Sequence, residues 1–243
     1  MNLNQVYNWI NIKRHLAMHC LLCRGITSCL HPICPLCVNA FPFIDSACSH
    51  CGLPLTSSDT GLCRQCLNQP PDFDHCLSPL VYAFPVSRAL QSIKYQSRLE
   101  LVRPITRLLV DLLEDQYIGR SWPEAMVPVP LHPARLRKRG YNQALLLARS
   151  IRRQLNTCPP VLDDRLLKRT RATDPQQGLD ATARRRNIRQ AFTLNHSPPW
   201  QHIALVDDVV TTGATVSEIA RLLKRSGVRQ VDIWSIARTP DQQ

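Results

Sequence analysis

The sequence predicts an α/β protein: a parallel sheet with helices on both faces, preceded by a small cysteine-rich module that binds zinc. Three observations lead there. Residues 203–206, Ile-Ala-Leu-Val, form the short apolar run typical of a strand buried on both faces of a parallel sheet. A helical stretch and a second strand-like run, Val228 to Ala237, follow it and complete a βαβ unit. Near the N-terminus, eight cysteines fall into four CxxC pairs.

Length and composition set the wider organisation. A chain of 243 residues with 44% hydrophobic content holds one α/β domain of usual size plus a small module. The expected layout is an extension over 1–17, a zinc module over 18–69 and the α/β domain over 77–243, with a linker around Pro70 and Pro71. Met18 is a second candidate start. No run of eighteen apolar residues occurs, so no membrane span is expected. The first residues carry their positive charges after a mildly apolar part and lack a signal-peptide core, so a cytoplasmic protein is expected.

In a reducing compartment the cysteines point to metal rather than to disulfides. The pairs are Cys20 with Cys23, Cys34 with Cys37, Cys48 with Cys51, and Cys63 with Cys66. A CxxC turn brings two thiolates to one tetrahedral Zn²⁺, so two pairs complete one Cys₄ site and four pairs suggest two structural zinc ions. Sequential pairing closes the shortest loops, and a cross-braced pairing satisfies the same count. His19, His31 and His50 lie beside these cysteines and read as bystanders. Cys29, Cys76 and Cys158 fit no pair and read as small buried or surface thiols.

Beyond the linker, Leu77 to Phe84 reads as an entry strand and Ser87 to Tyr95 as a helix. Arg98 to Glu114 reads as a longer helix with Pro104 near its start. Met126 to Leu131 reads as an apolar strand running out into a loop. Asn142 to Leu155 reads as a helix with Ala144, Leu145, Ala148, Ile151 and Leu155 on one face. The loop ahead of that helix carries Arg135, Arg137, Lys138 and Arg139, a basic end suited to phosphate. Residues 166–192, rich in Arg, Thr and Gln, have the composition of an active-site lid.

The chemistry concentrates after the run at 203–206. Asp207 and Asp208 sit at its carboxyl end, followed by Thr211, Thr212, Gly213 and Thr215. Gly213 lets the backbone approach a ligand, and the threonines offer hydroxyl donors. Thr215 and Glu218 read as a capping box for the next helix, with Ile219, Leu222 and Leu223 keeping the apolar spacing and Gly227 as a left-handed cap. Backbone N–H groups at such a helix start favour an anion. Two carboxylates beside an anion nest suit a ribose diol and Mg²⁺ better than phosphate. Together these features describe a phosphoribosyl group. The pattern resembles the phosphoribosyl pyrophosphate (PRPP) motif of type I phosphoribosyltransferases.

The resemblance extends over most of residues 20–239. The CxxC pairs, Ile93-Lys94-Tyr95, VPVPL followed by RGYNQA, KRTRAT, RRN, AF and VDDVVTTGAT occur in an order similar to that of the ComF/GntX family. Members are phosphoribosyltransferase-like proteins associated with natural transformation and the use of external DNA. The resemblance implies a type I phosphoribosyltransferase fold behind a zinc finger, binding PRPP with Mg²⁺. It implies Asp207 and Asp208 on the ribose hydroxyls, Thr211, Thr212, Gly213 and Thr215 on the 5′-phosphate, and Arg139, Asn142 and Gln143 on the pyrophosphate side. Thr170, Gln176, Arg186 and Asn187 match the family's other marked segment and are lid candidates. Phosphoribosyl transfer runs through an oxocarbenium-like transition state, so positioning and charge neutralisation are expected in place of a covalent nucleophile. The chain ends soon after Arg238, so an acceptor pocket is expected from the zinc module or from Leu77 to Glu100.

A net charge of +12 supports a second reading, a zinc-ribbon DNA-binding adaptor whose PRPP site is regulatory or vestigial. Its basic clusters would be Arg135 to Arg139, Arg184 to Arg186 and Arg221 to Arg229, the last on a solvated helix face. An aromatic content of only 6% argues against stacking platforms for single strands. Single-stranded DNA is therefore an expected partner on charge, and competence or recombination proteins on the resemblance.

Overall fold

The computed structural model describes residues 18–27, 32–55, 61–156, 159–170 and 191–241. Cys29, His31, Cys158, Gln176, Asn187 and the cluster Arg184 to Arg186 lie outside them. The chain divides into two compact units, 1–41 and 42–243. In the first, β1 (Met18–His19) and β2 (Ile26–Thr27) pair antiparallel, and α1 (Pro35–Asn39) follows with proline at its start.

The second unit opens with α2 (Arg64–Asn68), β3 (His75–Leu77) and β4 (Leu80–Val81). Helix α3 (Val86–Gln96) and, after a single 3₁₀ turn, α4 (Val102–Gln116) come next. Then follow β5 (Ala125–Pro128), α5 (Pro133–Arg139), α6 (Gln143–Gln154), β6 (Val161–Leu162), β7 (Leu167–Arg169) and β8 (Phe192–Leu194). The unit closes with β9 (His202–Val210), α7 (Ala214–Arg225) and β10 (Gln230–Arg238). The strand order is β3-β10-β9-β5-β6, all parallel, with β4 also on β10. Strands β7 and β8 form a separate antiparallel pair.

Helices cover both faces, as the strand alternation requires. Ile203 and Leu205 of β9 and Ile233 of β10 share a core with Ile219 and Leu223 of α7. From the other side of β10, Asp232 and Trp234 meet Tyr117 at the end of α4. The helix α4 also packs on α6 through a polar seam, in which Thr106 and Ser150 hydroxyls lie 2.7 Å apart and Gln154 donates to Thr106 at 2.7 Å.

Several expectations need correction. The entry strand is two short strands, because Pro79 has no N–H to give to β10. The strand expected to end at Leu131 stops at Pro128. The 3₁₀ turn takes the first residues of the helix expected from Arg98. On α6, Leu147 is buried where Leu145 is expected, since Leu147 lies on the same face as Ala144 and Ile151. The segment read as a linker is docked: Phe73 is 1% exposed, Asp72 pairs with Arg221 at 2.9 Å, and Asp74 pairs with Lys224 at 2.8 Å. Those ion pairs also remove Arg221 and Lys224 from the expected solvated basic face.

At the amino end of the sheet, the buried Asp232 accepts hydrogen bonds from Tyr117 at 2.6 Å and from the His202 ring at 2.8 Å. Burial alone would raise its pKa, but the bonds from His202 and Tyr117 outweigh that and hold the carboxyl below its usual range. A depressed carboxylate contributes stability above its unfolded pKa of about 3.9 and loses it as pH falls. Asp232→Asn is therefore expected to flatten the acid limb of the stability profile below about pH 4, measured by denaturant titration across pH. Tyr117→Phe removes one donor to Asp232 and the acceptor of the Trp234 N–H, for an expected loss of about 1–3 kcal/mol at neutral pH.

Candidate functional site

Strand β9 carries the site. It pairs with β10 along its whole length, with Asp207 in register with Ser235, so the two acids lie within the strand rather than beyond its end. Asp207 is half-buried and Asp208 is 5% exposed, so the carboxyl end of the strand at which they sit is largely enclosed. The Asp208 carboxylate meets the Lys94 ammonium of α3 at 2.5 Å, and the Asp208 N–H donates to Asp207 Oδ1 at 2.8 Å. Burial would lower the Lys94 pKa, but the Asp208 charge raises it, so the ammonium is retained. Burial, then the Asp208 charge, pushes the Asp207 carboxyl well above the usual carboxylate range.

A second cation approaches from β7. Arg169 is 7% exposed and lies 5.4 Å over the Phe192 ring. Burial and the nearby Arg135 push its pKa down, while Asp207 pulls it up, so Arg135, Arg169 and Asp207 share one electrostatic neighbourhood.

After Val210 the chain turns through Thr211 and Thr212 to Gly213, whose φ of +74° is the left-handed conformation that favours glycine. Gly213 is the N-cap of α7, and Thr212 Oγ1 accepts from the Ala214 N–H at 3.4 Å. The expected capping box at Thr215 is corrected: the cap is Gly213, two residues earlier, leaving Thr215 in the first turn. Gly227, at φ +102°, sits just past the helix as expected. Among the described residues Thr170 is exposed, and its N–H donates to Ala191 O at 2.9 Å beside the β7–β8 pair.

The basic loop at 135–139 is helical, with Pro133 at the start of α5 and Gly140 at its end. Arg139 lies 5.3 Å over the Tyr95 ring and donates to Gln143 Oε1 at 2.5 Å. Asn142 caps α6, accepting from the Ala144 N–H at 3.1 Å and donating to Val129 O at 3.1 Å. Gln143 is buried. All three are thus engaged with the protein; Arg139 and Asn142 remain partly exposed, and Gln143 does not.

The cysteines assemble in sequential pairs. Cys20, Cys23, Cys34 and Cys37 form one group, and Cys48, Cys51, Cys63 and Cys66 another, with their sulfurs all within 4.8 Å of one another in each group. Cys23 and Cys34 sulfurs are 3.7 Å apart, and those of Cys51 and Cys63 are 3.6 Å apart. A tetrahedral Zn–S bond of about 2.3 Å sets sulfurs at a separation of about 3.8 Å, so both groups could hold zinc. Backbone N–H groups also point at the sulfurs, as Cys34 N does to Cys20 at 3.3 Å and Cys63 N to Cys48 at 3.4 Å. Within each group the thiols split. Burial opposes ionisation, yet three backbone N–H groups bring Cys20 down to about 6, whereas burial and neighbouring cysteines raise Cys37 and Cys66. Four thiolates at this spacing need a cation between them.

The second group is part of the large core beneath α7, together with Phe73 and Cys76. Gly52 approaches so closely that a Cβ there would lie 2.6 Å from Cys76 O. A cavity of about 330 Å³ lies between this group and the loop, lined among others by Gln65, Gln69, Asp72, Phe73, Thr212 and Gly213.

Sequence reasoning gave no role to Lys94 or Arg169. Both stand in segments quoted for the family resemblance, Ile93-Lys94-Tyr95 and Lys168-Arg169-Thr170. No local pattern marks them, because they reach the acids only through tertiary packing.

An acidic pair and a left-handed glycine turn at the carboxyl end of a parallel sheet define a protein with a phosphoribosyltransferase-like domain. The family model described as the phosphoribosyl transferase domain matches residues 142–243. The chain is 39% identical over 225 residues to the DNA utilization protein YhgH of Escherichia coli, covering 90% of this chain and 96% of that protein. It is 37% identical over 228 residues to competence protein F of Haemophilus influenzae, with the same coverage. Against competence protein ComFC of Bacillus subtilis it is 27% identical over 224 residues, 90% of this chain and 84% of that one. The chain belongs to the ComF/GntX family. Among the described residues, no helix is long and apolar enough to cross a membrane.

Two tests follow from this geometry. Protein purified without chelator is expected to carry about two zinc ions by metal analysis, falling to about one in Cys63→Ser. Asp207→Asn is expected to raise Tm by a few degrees. A carboxyl whose folded pKa is raised costs stability once pH exceeds its unfolded value, and the amide removes that cost while keeping the acceptor for the Asp208 N–H.

Proposed function

We propose that the chain binds PRPP with Mg²⁺ on the carboxyl end of β9 and acts as a phosphoribosyltransferase-like protein in the use of external DNA. The observation that carries the reading is the juxtaposition of Asp207 and Asp208 with the Thr211–Gly213 turn at the start of a twelve-residue helix. The turn and the first N–H groups of α7, with Thr211, Thr212 and Thr215, take the 5′-phosphate. Asp207 and Asp208 accept from the ribose 2′- and 3′-hydroxyls and help hold Mg²⁺, which supplies charge neutralisation on the departing pyrophosphate. Arg135, Arg139 and Arg169 are the cations suited to that pyrophosphate, while Asn142 and Gln143 keep α5 and α6 in place. Lys94 must release part of its hold on Asp208 as the diol arrives. Thr170, with Gln176, Arg186 and Asn187, is proposed for a lid over this face. The Cys₄ groups are proposed as structural zinc centres.

The names of the relatives supply the biological setting, natural competence and DNA utilization. Single-stranded DNA is the partner that the basic charge favours, and competence or recombination proteins are partners consistent with those names.

Calorimetric titration with Mg²⁺-PRPP tests the reading. The wild type is expected to bind, and the double variant Asp207→Asn with Asp208→Asn to lose at least about a hundredfold in affinity, or about 2.7 kcal/mol, with an unchanged circular dichroism spectrum. Equal binding by the two proteins would remove the acids from the site. Binding is expected to strengthen as pH rises, because the diol and Mg²⁺ select the ionised form of Asp207, and to release a proton, seen as a dependence of the heat on the buffer. DNA binding, measured by anisotropy, is expected to weaken steeply with salt. It should change little in the variant Arg221→Ala with Lys224→Ala, because those cations are already paired with Asp72, Glu218 and Asp74.

A further inference from the structure

Arg238, the last residue of β10, is 4% exposed and makes no ion pair among the described residues. Its guanidinium is spent on backbone carbonyls. Nε donates to Cys51 O at 3.0 Å, and Nη1 donates to Thr211 O, to Val210 O at 3.3 Å and to Thr239 O at 2.9 Å. One planar group thus ties a ligand residue of the second cysteine group to the first residue of the phosphate-binding turn. A buried arginine is an expensive way to hold two loops, because its charge must be desolvated and then satisfied by carbonyl dipoles.

Two further contacts bind the same partners. Phe73, buried in the core that contains the second cysteine group, faces Gly213, where the nearest ring carbon lies 3.7 Å from the position of a Cβ. Asp72 accepts from Ser217 Oγ at 2.7 Å and its N–H donates to the same oxygen at 3.1 Å, while the Ser217 N–H donates to Gly213 O at 2.9 Å. The cysteine group, the segment Asp72–Phe73 and the turn are therefore joined by direct contacts.

We propose that Arg238 is a positioning residue that couples metal occupancy of the Cys48–Cys51–Cys63–Cys66 group to the Thr211–Gly213 turn, so that loss of the metal loosens the turn and weakens the anion site. This rests on the PRPP reading for its ligand, but the coupling itself is a property of the chain without ligand. With metal bound, Cys51 is fixed between its neighbours and its carbonyl holds Arg238, which holds Thr211 and Val210. Without metal nothing ties the Cys48–Cys51 turn to Cys63 and Cys66, the turn opens, and Arg238 loses one of its anchors.

Hydrogen exchange on the full-length zinc-loaded protein tests the coupling directly. Chelation is expected to speed exchange of the amides from Thr211 to Ser217 about tenfold, the scale of an ordinary coupling between sites. In Arg238→Met those amides should already exchange fast, and chelation should add less than twofold, while the zinc content before chelation stays as in the wild type. A purely structural role for Arg238 would instead give additive effects. Unchanged exchange at Thr211 to Ser217 on chelation of the wild type overturns the proposal, as does an equal response in the two proteins. If Arg238→Met does not fold, the wild-type comparison decides alone. A parallel titration with Mg²⁺-PRPP separates the two readings: a turn that loosens on chelation in a protein that never binds PRPP keeps the coupling and removes the ligand.

Discussion

The parallel pairing of β9 with β10, which runs from His202 with Gln230 to Val210 with Arg238, is the constraint on which the rest depends. Its amino end places Asp232 beside His202 and Tyr117, and its carboxyl end places Asp207 and Asp208 beside the turn and Arg238 behind it. A one-residue slip would move Ile203, Leu205 and Ile233 from the α7 core to the opposite face, and would carry the acids with them. Binding geometry and core packing are therefore fixed by the same ladder of hydrogen bonds.

The electrostatics of the carboxyl end work against the fold. Two adjacent acids, one of them 5% exposed, have a partly buried lysine paired to one of them and a buried arginine nearby, and burial is the largest influence on each of Lys94, Arg169 and Asp207. A core chosen for stability alone would place apolar side chains here, since a buried ion pair seldom repays its desolvation. The opposite arrangement at Asp232, where donors outweigh burial, shows that the same sheet can satisfy a buried carboxylate. The two ends therefore differ in how fully the chain's own donors satisfy a buried carboxylate.

Much of this was legible in the chain. The apolar run, the acids, Gly213 and the four CxxC pairs follow from local rules about strands, turns and metal ligands, and the structure sets the cysteines in two groups of four as the spacing predicts. Less legible were features decided by contacts distant in sequence. Asp72 and Asp74 sit among prolines and read as linker, yet they find Arg221 and Lys224 about 150 residues away. Lys94 lies on α3 with nothing beside it to mark a carboxylate partner more than a hundred residues on. The capping residue of α7 was misplaced because Thr215 and Glu218 fit a local rule, whereas Gly213 is selected by the turn that β9 and Arg238 impose.

The two cysteine groups share a spacing but occupy different settings. The first lies in a unit of its own, where two-residue strands and a five-residue helix bury little, so that a metal held there would take the place of a core. The second is itself core: its four cysteines are buried with Leu53, Phe73 and Val216, against the helix that begins at the Gly213 turn. A metal closing that group would fix not only its own loops but also the backbone carbonyl to which Arg238 donates. A CxxC pair can be read from sequence as a ligand set, but whether it serves its own module or a neighbouring site depends on what its backbone touches. In this chain that contact is made by one arginine at the last position of the last strand.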